Sequence, residues 1–139
     1  MIKTTNPKIL VIHGPNMNLL GLRKKGDGGG ITLGKLNRHL RKVATDIGLS
    51  LVIFQTNDES RAVNYLQKQR KRIKGILIFP GPWQKSGYVI KDTLEILSIP
   101  YITVSIGEKT DVLNGMKNIE ETNIYKSTGK ALNELAKQM

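Results

Sequence analysis

Four short apolar runs constrain this chain more than anything else in it: Ile9-Leu10-Val11-Ile12, Leu49 to Phe54, Gly75 to Phe79 and Ile99 to Ile106. Each is too short for a buried helix, rich in β-branched residues, and bounded by turn-forming residues, which is the pattern of strands buried on both faces. Between them the apolar period changes to that of a helix. Leu33, Leu36, Leu40, Val43, Ala44 and Ile47 form one stripe, with Thr32 as a cap before it and Gly48 where a helix ends. Ala62, Val63, Leu66 and Ile73 form a second stripe, so a helix is expected from the Gln55 to Asp58 turn to about Ile73. A third helix is expected through Val89, Ile90, Leu94 and Leu97, with Ser86 as its cap, and a last one from about Ser127 to Lys137. Gly107 to Asn123 is polar, with only a weak helical hint at Val112 to Ile119.

Strands alternating with amphipathic helices imply a parallel sheet covered on both sides and joined by right-handed crossovers. The expected architecture is an α/β, flavodoxin-like doubly wound sheet in three layers. At 139 residues the chain is read as a single domain, 1–139. No run is long enough to span a membrane, and the first residues carry no signal-peptide pattern. There is no cysteine, which excludes disulfides and thiolate metal sites and fits a cytoplasmic chain. With only two histidines, no metal is expected. The net charge of +11 favours an anionic partner such as a carboxylate or a phosphate.

In such a sheet, ligands gather at the carboxyl ends of the strands. The first strand ends in His13-Gly14-Pro15-Asn16, followed by Asn18, Arg23, Lys24, Lys25 and the run Gly26-Asp27-Gly28-Gly29-Gly30. This long glycine-rich stretch is either a closing loop over a pocket or a plain connection. Pro80, Gly81, Trp83, Gln84, Lys85 and Ser86 follow the third strand, and Ser105, Ile106 and Glu108 follow the fourth. His13 can act as a general base or be a hydrogen-bonded histidine at a strand end. Lys85 can hold an anion or be solvated; Trp83 can stack on a ligand or pack in the core. There is no phosphate-binding GxxxxGK[ST] loop. The proposed cavity is bordered by His13, Asn16, Arg23 and Lys85, with Arg23 reaching it only when the glycine-rich loop closes.

The string ILVIHGPNMNLLGLR, residues 9–23, resembles the opening of type II 3-dehydroquinate dehydratases, which reads roughly V-L-N-G-P-N-L-N-L-L-G-x-R-E-P. The match continues through Thr32-Leu33, Gln55-Thr56-Asn57-Asp58-Glu59, Pro80-Gly81, Lys91-Asp92 and Ser98-Ile99-Pro100, and fades after about Ile106. The resemblance implies the flavodoxin-like fold, a dodecamer built from trimers, and dehydration through an enolate without cofactor or metal. It puts Arg23 on the family's loop arginine, and Asn16 and Asp92 on further matched positions, the aspartate serving a neighbouring subunit's site. Asn18, Pro80, Gly81, Trp83, Lys85, Ser86, Ser105 and Ile106 complete the substrate contacts it suggests. It also shows departures. Gly28 stands where the catalytic tyrosine belongs and Ser105 where the catalytic histidine belongs. Phe79 and Lys85 replace the asparagine and histidine of an Asn-Pro-Gly-Ala-x-Thr-His-x-Ser segment, and no arginine lies near Val112.

Three functions are compatible with these residues. One is an enzyme of the lyase type with a rebuilt site, using Arg23, His13, Asn16, Lys85 and Glu108 on a small anionic carboxylate. Another is an inactive homologue that binds a ligand or builds an assembly. The third is nucleic-acid binding, which has only the basic helix faces of Arg38 to Lys42 and Arg61 to Lys74 behind it and no recognisable motif, so nucleic acid is not an expected partner. A homo-oligomer, trimer or dodecamer, is expected.

Overall fold

A computed structural model describes residues 6–23, 30–120 and 123–139. Five strands, β1 (Lys8–His13), β2 (Ser50–Gln55), β3 (Gly75–Phe79), β4 (Tyr101–Ser105) and β5 (Lys117–Glu120), form one parallel sheet in the order β2-β1-β3-β4-β5. The helices are α1 (Leu33–Asp46), α2 (Glu59–Gln69), α3 (Trp83–Ser86), α4 (Tyr88–Leu97) and α5 (Ile124–Ala136), and a 3-10 helix, Met17–Leu22, follows β1. This is the flavodoxin-like α/β arrangement expected above.

Side chains alternate across the central strands, as the pleat requires. Ile9 and Val11 meet Leu36 and Leu40 of α1 and Leu132 and Leu135 of α5 on one face. Leu10 and Ile12 meet Ala62 and Leu66 of α2 and Ile90 and Leu94 of α4 on the other. Thr32 caps α1 by accepting from the Lys35 amide at 3.2 Å, and Asp58 caps α2 by accepting from the Ser60 amide at 2.9 Å. Gly14 lets the end of β1 lie against β3. Its amide donates to the Phe79 carbonyl at 2.9 Å, and a Cβ at this position would lie 2.6 Å from that oxygen.

Four expectations change. The weak helix at Val112 to Ile119 is instead a loop followed by β5. Gly115 explains it: at φ +54 it leaves right-handed helical space, and a Cβ there would run into the Tyr101 carbonyl. The Met116 amide then donates to that same carbonyl and aligns β5 with β4. Helix α2 stops at Gln69, not Ile73, because Arg70 to Arg72 turn and the Arg72 amide bonds the Gln69 carbonyl. Ile73 is buried outside the helix. Ser86 does not cap α4: its hydroxyl donates back to the Pro82 carbonyl within α3, and Gly87 holds the cap position. The last helix begins at Ile124, with the Asn123 side chain accepting from the Tyr125 and Lys126 amides. Among the described residues no helix is long and apolar enough to cross a membrane.

Candidate functional site

The carboxyl ends of β1, β3 and β4 surround an open cleft of about 820 Å³. Asn16, Arg23, Gly81, Lys85 and Ile106, all expected from the sequence, line it. Asn16 adopts a left-handed conformation at φ 69, and its amide donates to Asn57 Oδ1 at 2.9 Å. This contact between the β1 and β2 connections fixes the turn that carries the asparagine.

Arg23 lines the cleft, and the loop on whose closing its entry is expected to depend lies at 24–29, outside the described residues. The Arg23 Nη2 donates to the Ile106 carbonyl at 3.3 Å, which ties the end of the 3-10 helix to the segment after β4. The half-buried guanidinium keeps donors to spare for an anion. Lys85 stands across the cleft on α3, exposed to solvent. Glu108, Lys109, Thr110 and Asp111 add a wall that the sequence disclosed only at Glu108. Glu108 folds back to accept from the Ile106 amide at 2.9 Å. Among the described residues neither Glu108 nor Asp111 forms an ion pair, so the cleft presents cations and carboxylates side by side.

His13 does not border this cleft, and its expected role as a base there is corrected. As the third residue after Ile9 and Val11 on alternate positions, it points to the α1 face and is fully buried. Its Nε2 is 2.7 Å from Asn37 Oδ1, its ring stacks on Phe79 at 4.8 Å, and Nδ1 has no partner among the described residues. Burial lowers its pKa to about 4, against the smaller opposing effect of the Asn37 contact. The hydrogen-bonded strand-end histidine is what the structure shows.

Other expected contacts also lie elsewhere. The Ser105 hydroxyl is buried and donates to Asn118 Oδ1 on β5 at 2.9 Å, beside a Thr103 bond to the same oxygen. Trp83 is buried in the α2/α4 core cluster, so the packing alternative holds. Pro80 is buried beneath the turn, where its carbonyl accepts from the Trp83 amide. Ser86 is turned to Pro82. Asn18 is exposed and receives a 3.5 Å contact from Gln55 Nε2 outside the cleft lining. Asp92 is exposed on α4, away from this protomer's cleft. Lys24, Lys25 and Gly28 lie outside the described residues.

A family model for class II dehydroquinases matches residues 7–113. The chain belongs to the class II dehydroquinase family. Among its relatives, a 3-dehydroquinate dehydratase from Geotalea daltonii is 37% identical over 99 residues, which is 71% of this chain and 69% of the relative. One from Trichodesmium erythraeum is 39% identical over 98 residues, 70% of this chain and 65% of that protein. The matched segment thus spans about two thirds of these relatives' length. A type II dehydroquinase structure from Propionibacterium acnes superposes with a TM-score of 0.85 at 26% identity, covering 97% of this chain and 99% of the other. The family match ends at Leu113, just before the Gly115 turn into β5, whereas the structural likeness covers 97% of the chain and so extends beyond it.

Proposed function

We propose that this dehydroquinase-like protein binds a small carboxylate-bearing anion in the cleft and acts as a lyase with a rebuilt site, not as an efficient 3-dehydroquinate dehydratase. The observation that carries this reading is the convergence of Arg23, Lys85 and Lys109 with Asn16 on one cleft at the strand ends. The guanidinium, already anchored on Ile106, offers a planar pair of donors to a carboxylate, and the lysines add positive potential. Asn16 contributes a neutral amide for orientation. Glu108 and Asp111 are the carboxylates left in the cleft to exchange a proton with a bound ligand, since His13 is buried and Ser105 is turned to Asn118. The reading takes 1–139 as a single domain acting in the cytoplasm, with no cofactor.

Calorimetry with citrate as probe, at low salt, tests the anion site. Arg23→Ala is expected to weaken binding about tenfold, the effect of one charge-assisted hydrogen bond in a half-buried place. Lys85→Ala is expected to weaken it only about threefold, because the ammonium is exposed and screened. Melting temperatures should stay close to the parent's. If citrate does not bind, or both variants bind it like the parent, the inactive-homologue reading replaces this one.

The same reading includes assembly into a trimer or larger. Helix α4 presents Tyr88, Val89 and Ile96 to solvent at 65%, 59% and 73% exposure, with Asp92 between them. An apolar helix face beside a matched intersubunit aspartate suits a second copy of this chain. Light scattering at micromolar concentration is expected to give at least three times the 15.5 kDa chain mass; a monomer would overturn this.

A further inference from the structure

Gln84 on α3 is buried to 1% exposure, yet it lines the cleft together with its neighbours Pro82 and Lys85. Its side chain faces the loop that follows β4. Oε1 accepts from the amides of Asp111 at 3.0 Å and Leu113 at 2.8 Å, and Nε2 donates to the Leu113 carbonyl at 2.6 Å. Its own backbone carbonyl accepts from the Val112 amide at 3.0 Å. Both lone pairs of the side-chain oxygen are therefore used, and four bonds tie one residue to three consecutive loop residues. Val112 and Leu113 are themselves buried against Tyr101 and the α4 side of the sheet. On the outer side of this attachment the same loop carries Glu108, Lys109, Thr110 and Asp111, which form the wall facing Lys85.

We infer that Gln84 is a positioning residue that latches the 107–113 loop to α3 and so sets the spacing between Lys85 and the Glu108–Asp111 wall of the cleft. The inference rests on the anion-binding reading for its effect on affinity, but the latch itself does not depend on it. The segment that the chain resembles has threonine at this place. A threonine hydroxyl, attached at Cβ, is too short to span to both Asp111 and Leu113. The carboxamide is therefore what lets this chain build the wall from a loop with little secondary structure of its own.

The test uses the full chain with Gln84→Thr, Gln84→Glu, and each combined with Glu108→Gln. By hydrogen exchange, Gln84→Thr is expected to speed exchange at the Asp111 and Leu113 amides at least about tenfold, with β1 and β3 amides unchanged. Gln84→Glu keeps the oxygen that accepts from both amides but sets a second oxygen, in place of the donor, against the Leu113 carbonyl, so at equal pH it should leave exchange near the parent's while that carboxyl is protonated and accelerate it once the carboxyl ionises. In the parent, Glu108→Gln is expected to tighten citrate binding about threefold or more, because it removes a carboxylate close to the bound anion. In the Gln84→Thr background that gain should shrink measurably, since the loop that carries Glu108 is no longer fixed to α3, although its carboxylate keeps the Ile106 amide. Unchanged exchange at Asp111 and Leu113 overturns the latch. Faster exchange with an undiminished Glu108 effect shows that Gln84 only supports the core, which overturns the positioning role. If the parent binds no citrate, the anion-binding reading fails and the exchange rates alone decide the latch.

Discussion

In an assay that follows enone formation from 3-dehydroquinate, the purified protein is expected to turn over at least about 10,000-fold more slowly than an ordinary type II enzyme. The expectation follows from two losses that the resemblance implies, each of a proton-transfer group worth about 100- to 10,000-fold. Glycine occupies position 28, where the resemblance puts the tyrosine, and a glycine has no side chain to take up a proton. The resemblance puts Ser105 in the histidine's place, and its hydroxyl is committed to Asn118 on β5 and lies outside the cleft lining. His13 does not compensate: it is buried on the α1 side, with its Nε2 engaged by Asn37. The retained Arg23 and Asn16 can still bind an anion, so weak binding with negligible turnover is the expected combination. A rate within about tenfold of the relatives would show that a general base enters the cleft from outside these positions, from Glu108 or a neighbouring subunit.

The parts of this molecule that were legible in the sequence are those in which local pattern and tertiary environment agree. The runs at Ile9 and Ile76 read as strands because their apolar residues are buried on both faces, and the half-buried edge run at Leu51 packs partly against both clusters. Thr32 and Asp58 read as helix starts because their caps are local hydrogen bonds. The fifth strand was hidden because Lys117–Glu120 lies at the sheet edge and buries only Ile119, which leaves no apolar run to see. For the site, residue type and strand-end position located Asn16, Arg23, Gly81, Lys85 and Ile106. They could not locate His13 correctly, since its fate depends on which face of β1 it takes. The period set by Ile9 and Val11 does carry that signal: continued to 13, it points into the α1 core. Gln84 was invisible as a latch because its partners are backbone groups nearly 30 residues away. No side-chain pattern encodes such partners.

His13 gives the second large effect, a loss of stability in acid. Its ordinary pKa of 6.5 falls to about 4 in the folded chain, first because burial penalises the charged ring. With Nε2 bonded to Asn37, a second proton would go to Nδ1, where a new N–H would face no acceptor among the described residues. Above pH 6.5 the ring is neutral in both folded and unfolded chains, and the site adds no pH dependence. Between about 6.5 and 4 the unfolded chain takes up a proton that the folded chain refuses, so stability falls as pH falls. Below about 4 the folded chain is protonated too and the slope from this site levels off. A shift of this size corresponds to about 3 kcal/mol of lost stability across the window. His13→Asn places an amide there, as the resembled family does, and cannot titrate. It gives up the stack on Phe79, so it should be less stable than the parent at pH 7. Its urea midpoint should nevertheless decline more gently than the parent's between pH 6.5 and 4, because every other titrating group is common to both proteins. Parallel declines over that range, or an imidazole that titrates near 6.5 in the folded parent by NMR, would place His13 in contact with water and remove the basis for excluding it from catalysis.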